Sequence, residues 1–378
     1  MRKYEVDAIR SIAVIFLIIY HIIIVLSPEI IEIGFISLDV PENDSSYYFL
    51  LASQALNIWR IPIIFIVAGM GAAFSLKRRS LNKFFTDRVL RISMPLLFGS
   101  WFIVPISGII FESFYRKNTF TLSENLSRII SGELLNPGHL WFLWAIQVYI
   151  FLFGIFQIFK LLKNNNLPFQ KSTENILKKK FGLLLIFSLP LMLISGITNT
   201  ESFANHVWFF IFDNLHGFFL GLVCFYMGML FVSIGELFWT SVRSISSLCL
   251  CLAIILFIVR MVIVFPTFSE GDLLIPRIFV NILTACEASN WILATIGFTS
   301  RFISKKSRFL TYFTISVYPV YIIHLPVQQF VISRIVKISM PATIQLLLGI
   351  FFTLVICYMI FEIIKRIRFL RFFFGMKA

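Results

Sequence analysis

Residues 9–26 read IRSIAVIFLIIYHIIIVL. At 1.5 Å of rise per residue, a helix of this length matches a hydrocarbon core of about 30 Å. The run is continuous rather than alternating, and a backbone in lipid must satisfy its own amides and carbonyls, so a membrane-spanning helix is predicted. Arg10 and His21 interrupt the apolar run. At about 100° per residue they return to within roughly 20° of one face. Along the axis they stand about 16 Å apart, one towards each membrane surface. A guanidinium and an imidazole on one stripe of a spanning helix are costly in lipid and mark a functional candidate. Simpler roles stay open for each alone. Asp7, three residues earlier, can hold a snorkelling Arg10, and a neutral His21 can bond a carbonyl of a neighbouring helix.

The rest of the chain has the same character. Its 378 residues are 58% hydrophobic and 14% charged, with a mean hydropathy of +0.89, which excludes a soluble globular domain. Ten apolar spans are expected, over residues 8–26, 50–76, 89–111, 140–160, 181–197, 207–233, 245–265, 276–298, 310–333 and 341–364. The fold class that follows is all-α, a polytopic integral membrane protein. It forms a single transmembrane domain over residues 1–378, with no appended soluble domain.

The net charge of +14 suggests nucleic acid until its distribution is examined. Of the Lys and Arg residues, only Arg116, Lys117, Arg128, Arg334 and Lys337 fall in or beside the loops after odd-numbered spans. Arg10, Arg60, Arg260 and Arg277 lie within spans, and all the others sit at the N-terminus, in the alternate loops or in the C-terminal tail. The positive-inside rule then puts both termini in the cytoplasm. The acidic first loop (Glu29, Glu32, Asp39, Glu42, Asp44) lies outside. The basic excess reads as topology and anionic-lipid contact, with no nucleic-acid partner. An acidic pair, Glu5 and Asp7, precedes the first span and no small-residue cleavage site follows it, so the helix reads as an anchor and not a signal peptide. The five cysteines fall in or at the ends of spans without metal-ligand spacing. They read as packing residues, and no metal is expected.

Two connections are longer than turns: residues 27–49, with Pro28, Pro41 and an ENDSS cluster, and residues 112–139. In the second, TLSENL (residues 121–126) suits a short interfacial helix with Ser123 as cap. Residues 161–180 read as a flexible cytoplasmic linker. No internal repeat is visible. The closing IKRIRFLRFFFGMKA (residues 364–378) reads as an amphipathic, basic, lipid-facing tail.

Polar residues inside the spans recur at helical spacing. Asn57 and Arg60 share a face, and Arg60 offers a planar fork for carboxylate or phosphate, unless it only snorkels. Gly69 and Gly71 permit close helix packing. Arg88 and Arg91, also one turn apart, enter the third span, which Pro95 is expected to interrupt. They suit a phosphorylated ligand or, more simply, the positive-inside rule. His139 and Trp141 lie at a membrane surface after the Pro137-Gly138 turn. Asp213 with His216, and Glu287 with Asn290, are polar pairs that must face the bundle interior. Tyr321 and His324 share one face of a helix that Pro319 and Pro326 are expected to kink.

Together these segments resemble a known family. DAIRSIAVIFLIIYH (residues 7–21) is similar to the Arg-x10-His signature of the membrane-bound acyltransferase family 3. RIPIIFIVAGMGAAF (residues 60–74) resembles its second-span element, with Ala68 where Ser is usual. RVLRISMPLL (residues 88–97) resembles its Arg-x-x-Arg-x-x-x-Pro element. GHLWFLWAIQVY (residues 138–149) and VYPVYIIHLPV (residues 317–327) resemble its fourth- and ninth-span motifs. Arg60 and the closing FEIIKRIRFLRFFF (residues 361–374) are similar to a glucan-succinylating branch of that family.

The resemblance implies transfer of an acyl group, acetyl or succinyl, from cytoplasmic acyl-CoA to a hydroxyl of an extracytoplasmic glycan or glycolipid. It places the chain as a multi-pass protein of the bacterial inner (plasma) membrane. In that reading acyl-CoA is a co-substrate, and no cofactor is permanently bound. Imidazole, whose unperturbed pKa is near 6.5, suits a general base, and the resemblance assigns that role to His21 with Arg10 as its catalytic partner. Arg88 and Arg91 bind the donor phosphates. Acceptor or acyl-group candidates are Arg60, Asn57, Asp213, His216, Glu287, Tyr321, His324, His139 and Trp141. A covalent acyl-enzyme on Ser, Tyr or His stays open. The alternative from another class is a transporter or flippase for a glycoconjugate or anionic metabolite, using the same Arg and His groups as a substrate path.

Overall fold

A computed structural model describes residues 3–26, 46–114, 120–158, 167, 169–199, 215–264 and 277–376. Among these residues the chain is helical and contains no strand. The helices are α1 (Tyr4–Val25), α2 (Ser46–Leu76), α3 (Leu81–Phe98), α4 (Val104–Phe114), α5 (Leu122–Ile130), α6 (Trp141–Ile158), α7 (Gln170–Leu177), α8 (Gly182–Thr198), α9 (Leu215–Ile234), α10 (Glu236–Val259), α11 (Arg277–Phe302), α12 (Arg308–Ile335), α13 (Ala342–Arg366) and α14 (Arg368–Phe373). Single π-helical turns follow α3 (Gly99–Ile103) and α10 (Arg260–Val264). Nine helical stretches among the described residues are long and apolar enough to cross a membrane, and α8 is a shorter apolar helix of 17 residues. The protein is an all-α, multi-pass membrane protein. The first loop (residues 27–45), Arg116, Lys117, Asp213 and the start of the expected sixth span lie outside the described residues.

The chain forms two compact units. The first comprises Met1–Ala13, Asn57–Phe85 and Val148–Leu310. Within it, α2 and α9 approach backbone to backbone, as Gly69 leads one to expect. A Cβ on Gly69 would run into the Phe225 carbonyl, and one on Gly228 into the Ile66 carbonyl. Small residues at such a crossing allow close helix packing where lipid supplies no hydrophobic drive. Residues 161–180 are not simply a linker: α7 forms there, with Thr173 and Leu177 buried. These two are one turn apart and so share one buried face of the helix.

The second unit comprises Val14–Leu56, Thr86–Gln147 and Thr311–Ala378. Pro95 does not interrupt the third span, because α3 runs through it and the irregularity comes four residues later as the π turn. Proline removes one N–H and so leaves the Arg91 carbonyl without its helical donor. The Tyr318 hydroxyl donates to that carbonyl instead, at 3.2 Å. Helix α12 runs continuously through both Pro319 and Pro326. The cap of α5 is Thr121 rather than Ser123. Thr121 is extended (ψ 162°), its hydroxyl accepts from the Glu124 amide, and the Glu124 side chain accepts from the Thr121 amide. This capping box holds the Glu124 carboxyl below its ordinary pKa, chiefly through the Thr121 amide. Arg128 bonds Glu112 at 2.8 Å and Glu133 at 2.9 Å, tying α5 to the end of α4.

Candidate active site

Helix α12 supplies the centre of a buried histidine cluster in the second unit. His324 is fully buried, and its Nδ1 lies 2.6 Å from the carbonyl oxygen of Tyr321. A carbonyl only accepts, so Nδ1 carries the proton. Nε2 keeps its lone pair and has no hydrogen-bond partner among the described residues. His139 enters from the short 3-10 turn before α6. Its Nε2 donates to the Ile322 carbonyl at 2.8 Å, and its buried Nδ1 has no partner among the described residues.

The Ile322 carbonyl is available because of Pro326. A residue with an N–H at that position would close the i→i−4 helical bond to residue 322. The proline thus turns a helix carbonyl into the acceptor that orients His139. Tyr321 fixes the same turn from the other side, donating its hydroxyl to the His139 carbonyl at 2.6 Å. Gly138, at φ 45°, makes the turn possible. That region disfavours side-chain-bearing residues, and a Cβ there would strike Val104 Cγ1 at 2.6 Å.

His21 completes the cluster. Its ring centroid lies 5.7 Å from that of His324, which is 5.2 Å from that of His139. One turn along α12 from His324, the buried Gln328 donates its Nε2 to the Ile18 carbonyl at 3.0 Å. Ile18 is one turn before His21, so this bond sets the register of α1 against α12 beside both imidazoles. Trp141 opens α6, half-buried beside Phe142. Arg88 and Arg91 sit on α3.

The other candidates belong to the first unit. Arg10 pairs with Asp7 at 4.0 Å, with its side chain still 36% exposed. Helix α1 is continuous through both Arg10 and His21. Arg60 is buried and donates Nη2 to Asn57 Oδ1 at 3.2 Å, so it does not snorkel to a surface. His216 Nδ1 lies 3.0 Å from the Thr198 hydroxyl. Glu287 and Asn290 are both buried but do not act as a pair. Asn290 turns back to the Cys286 carbonyl, while Glu287 takes a two-point ion pair from Arg260 at 2.6 and 3.1 Å. Both partners are fully buried. Trp291 donates its indole N–H to Glu287 at 3.2 Å and stacks on Trp59.

Sequence reasoning used Arg260 only for topology. Its signal was present as opposite charges in consecutive spans. Gln328 was also missed, although it continues the Tyr321 and His324 stripe. Among the described residues, no group of three His, Cys, Asp or Glu side chains is placed to hold a metal ion, the histidine cluster included.

Comparison with known proteins accounts for a membrane helix bundle with this cluster. The acyltransferase-3 family profile, described as an acyltransferase domain, matches residues 3–362. The chain belongs to that family. It is a membrane acyltransferase. Glucans biosynthesis protein C of Escherichia coli (strain K12) is 24% identical over 394 residues, covering 100% of this chain and 95% of the relative. The protein of the same name from Shigella dysenteriae serotype 1 is 23% identical over the same lengths. No solved structure matches.

Proposed function

We propose that this acyltransferase moves an acetyl or succinyl group from acyl-CoA on the cytoplasmic side to a hydroxyl of an extracytoplasmic glycan or glycolipid, with His21 as general base. The observation that carries this reading is the meeting of His21 with His324 and His139. The two neighbours each keep an unprotonated ring nitrogen in a buried setting. A proton taken from an acceptor hydroxyl then enters a group of neighbouring imidazoles.

In the direct mechanism, His21 accepts the hydroxyl proton as the oxygen attacks the thioester carbonyl carbon. The tetrahedral oxyanion collapses, the C–S bond breaks, and the coenzyme A thiolate recovers the proton from His21. Arg10, about 16 Å away along the same helix, steers the thioester end of the donor, and Arg or backbone donors stabilise the oxyanion. Arg88 and Arg91 bind the donor phosphates by charge-assisted hydrogen bonds. Similarity to glucans biosynthesis proteins supports a glucan-type acceptor, and the buried fork of Arg60 suits a dicarboxylic acyl group such as succinyl. The charge distribution supports cytoplasmic termini, and with a cytoplasmic acyl-CoA donor the host is the bacterial inner membrane.

The test is transfer from radiolabelled acetyl-CoA and succinyl-CoA by purified protein in lipid nanodiscs to a periplasmic glucan fraction. The reading expects label in the glycan, and expects His21→Ala to bind coenzyme A normally while losing transfer. Unlabelled glycan with both donors would overturn it.

A further inference from the structure

The C-terminal segment of the second unit folds back onto α3 at Arg91. Phe98 of α3 packs against Phe373 and Phe374, with ring centroids 4.9 and 5.7 Å away. The turn that ends α14 brings the Met376 amide to the Arg371 carbonyl at 2.9 Å. Gly375 closes this turn at φ +64°, so near α3 that a Cβ on it would stand 2.9 Å from the Arg91 carbonyl oxygen and against the Tyr318 ring. This is the carbonyl that Pro95 leaves open and the Tyr318 hydroxyl caps. The tail is therefore seated on the backbone of a donor-site candidate.

Among the tail cations, Arg371 stands apart. Glu362 is the only acidic side chain from α13 onward, and it is engaged by Lys365 at 3.0 Å, Arg366 at 4.0 Å and the Tyr312 hydroxyl at 2.9 Å. The Arg366 side chain is 80% exposed, and Arg368 is also exposed, as suits residues meeting lipid headgroups. Arg371 is half-buried, and its Nε is fully covered without a hydrogen-bond partner among the described residues. Arg91 likewise forms no ion pair with a carboxylate among the described residues. A buried guanidinium nitrogen left unmatched is costly unless a ligand meets it.

We propose that Arg371 is a third phosphate-binding cation of the donor site, brought by the C-terminal tail to Arg88 and Arg91, and that its ligand is a phosphate of the acyl-CoA donor. This rests on the donor reading above. The same chemistry could be met by the phosphate of a lipid headgroup, and the seat of the tail on α3 at Arg91 favours the donor.

The experiment measures binding of coenzyme A to the full chain in phosphatidylcholine nanodiscs. It compares wild type, Arg91→Gln, Arg371→Gln and Arg371→Lys, and in parallel measures thermal stabilisation of each by phosphatidylglycerol. The proposal expects Arg371→Gln to weaken coenzyme A binding about tenfold, as for loss of a charge-assisted contact. Arg371→Lys, which keeps the charge without the fork, should recover part of it. Stabilisation by phosphatidylglycerol should be unchanged. If Arg91→Gln weakens binding and Arg371→Gln does not, the tail inference fails and the donor reading survives. If wild type binds no coenzyme A, both fail. Loss of phosphatidylglycerol stabilisation with coenzyme A affinity intact assigns the residue to a lipid headgroup and overturns the proposal. Should Arg371→Gln not fold, wild-type affinity in Arg371→Lys overturns it equally.

Discussion

His139 and His324 each give one ring proton to a backbone carbonyl, and this decides which nitrogen of each remains a base. The consequence is testable with isosteres. Glutamine places its amide nitrogen where Nε2 stood, and asparagine where Nδ1 stood. His139→Gln and His324→Asn should therefore retain the carbonyl bonds and fold normally while losing the free ring nitrogen. If these nitrogens serve the reaction, each variant should keep the wild-type melting temperature and lose transfer roughly 100-fold or more, the lower range for acid–base contributions. Wild-type turnover in both would reduce the two residues to packing. The polarity of single residues was legible in the sequence, and so were their i,i+3 pairings with neighbours on one helix. The meeting of His139 with His324 was not, because it depends on how a turn before α6 packs against α12, and no local spacing encodes that. Glu287 shows the same limit. Helical spacing offers Asn290 as its partner, but an Arg from the preceding span satisfies a full charge better than an amide does.

At the scale of the element, the prolines do chemical rather than merely geometric work. Pro326 and Pro95 each remove an N–H, and the carbonyl left open is taken by a side chain: Ile322 by His139, and Arg91 by Tyr318. Pro326→Ala restores a helical donor to the Ile322 carbonyl, which then competes with His139 Nε2. The variant should be at least as stable as wild type, since an interior helical proline is unfavourable. It should be slower by about tenfold or more, because small displacements of catalytic groups cost that much. Thermal unfolding and transfer rate measured on the same preparation decide the matter, and a faster or unchanged Pro326→Ala would contradict it. The helices themselves were legible because uninterrupted apolar runs in lipid have few alternatives. The π turns and the capping residue were less so. Thr121 and Ser123 are both good caps, and only the backbone, extended at Thr121 and helical at Ser123, distinguishes them.

At the scale of the whole molecule, stability and topology are the quantities at issue. The Arg260–Glu287 pair is fully buried in the first unit. Removing one partner strands a charge, typically at about 3–5 kcal/mol, whereas replacing both with apolar residues is often neutral. Arg260→Met should lower the melting temperature in detergent sharply, and Arg260→Met with Glu287→Met should restore most of the loss. Equal destabilisation by the single and double changes would show that the pair does not act as a unit. For topology, the distribution of Lys and Arg expects both termini in the cytoplasm. Terminal fusions to a reporter active only outside the cytoplasm should be silent, and an active fusion would reverse the assignment of donor and acceptor sides. Fold class and family were legible along the whole chain, because apolar runs of membrane length recur from end to end and the family profile matches residues 3–362. Acyl group and acceptor were not, because they depend on side chains that meet only in the folded protein. The most direct measurement is acyl transfer from labelled acetyl-CoA and succinyl-CoA to glucan by wild type and His21→Ala in nanodiscs, with coenzyme A binding measured on the same samples. Transfer by wild type, with a loss of roughly 100-fold or more in His21→Ala at unchanged coenzyme A affinity, is the expected result for a general base. Transfer at the wild-type rate by His21→Ala would contradict it.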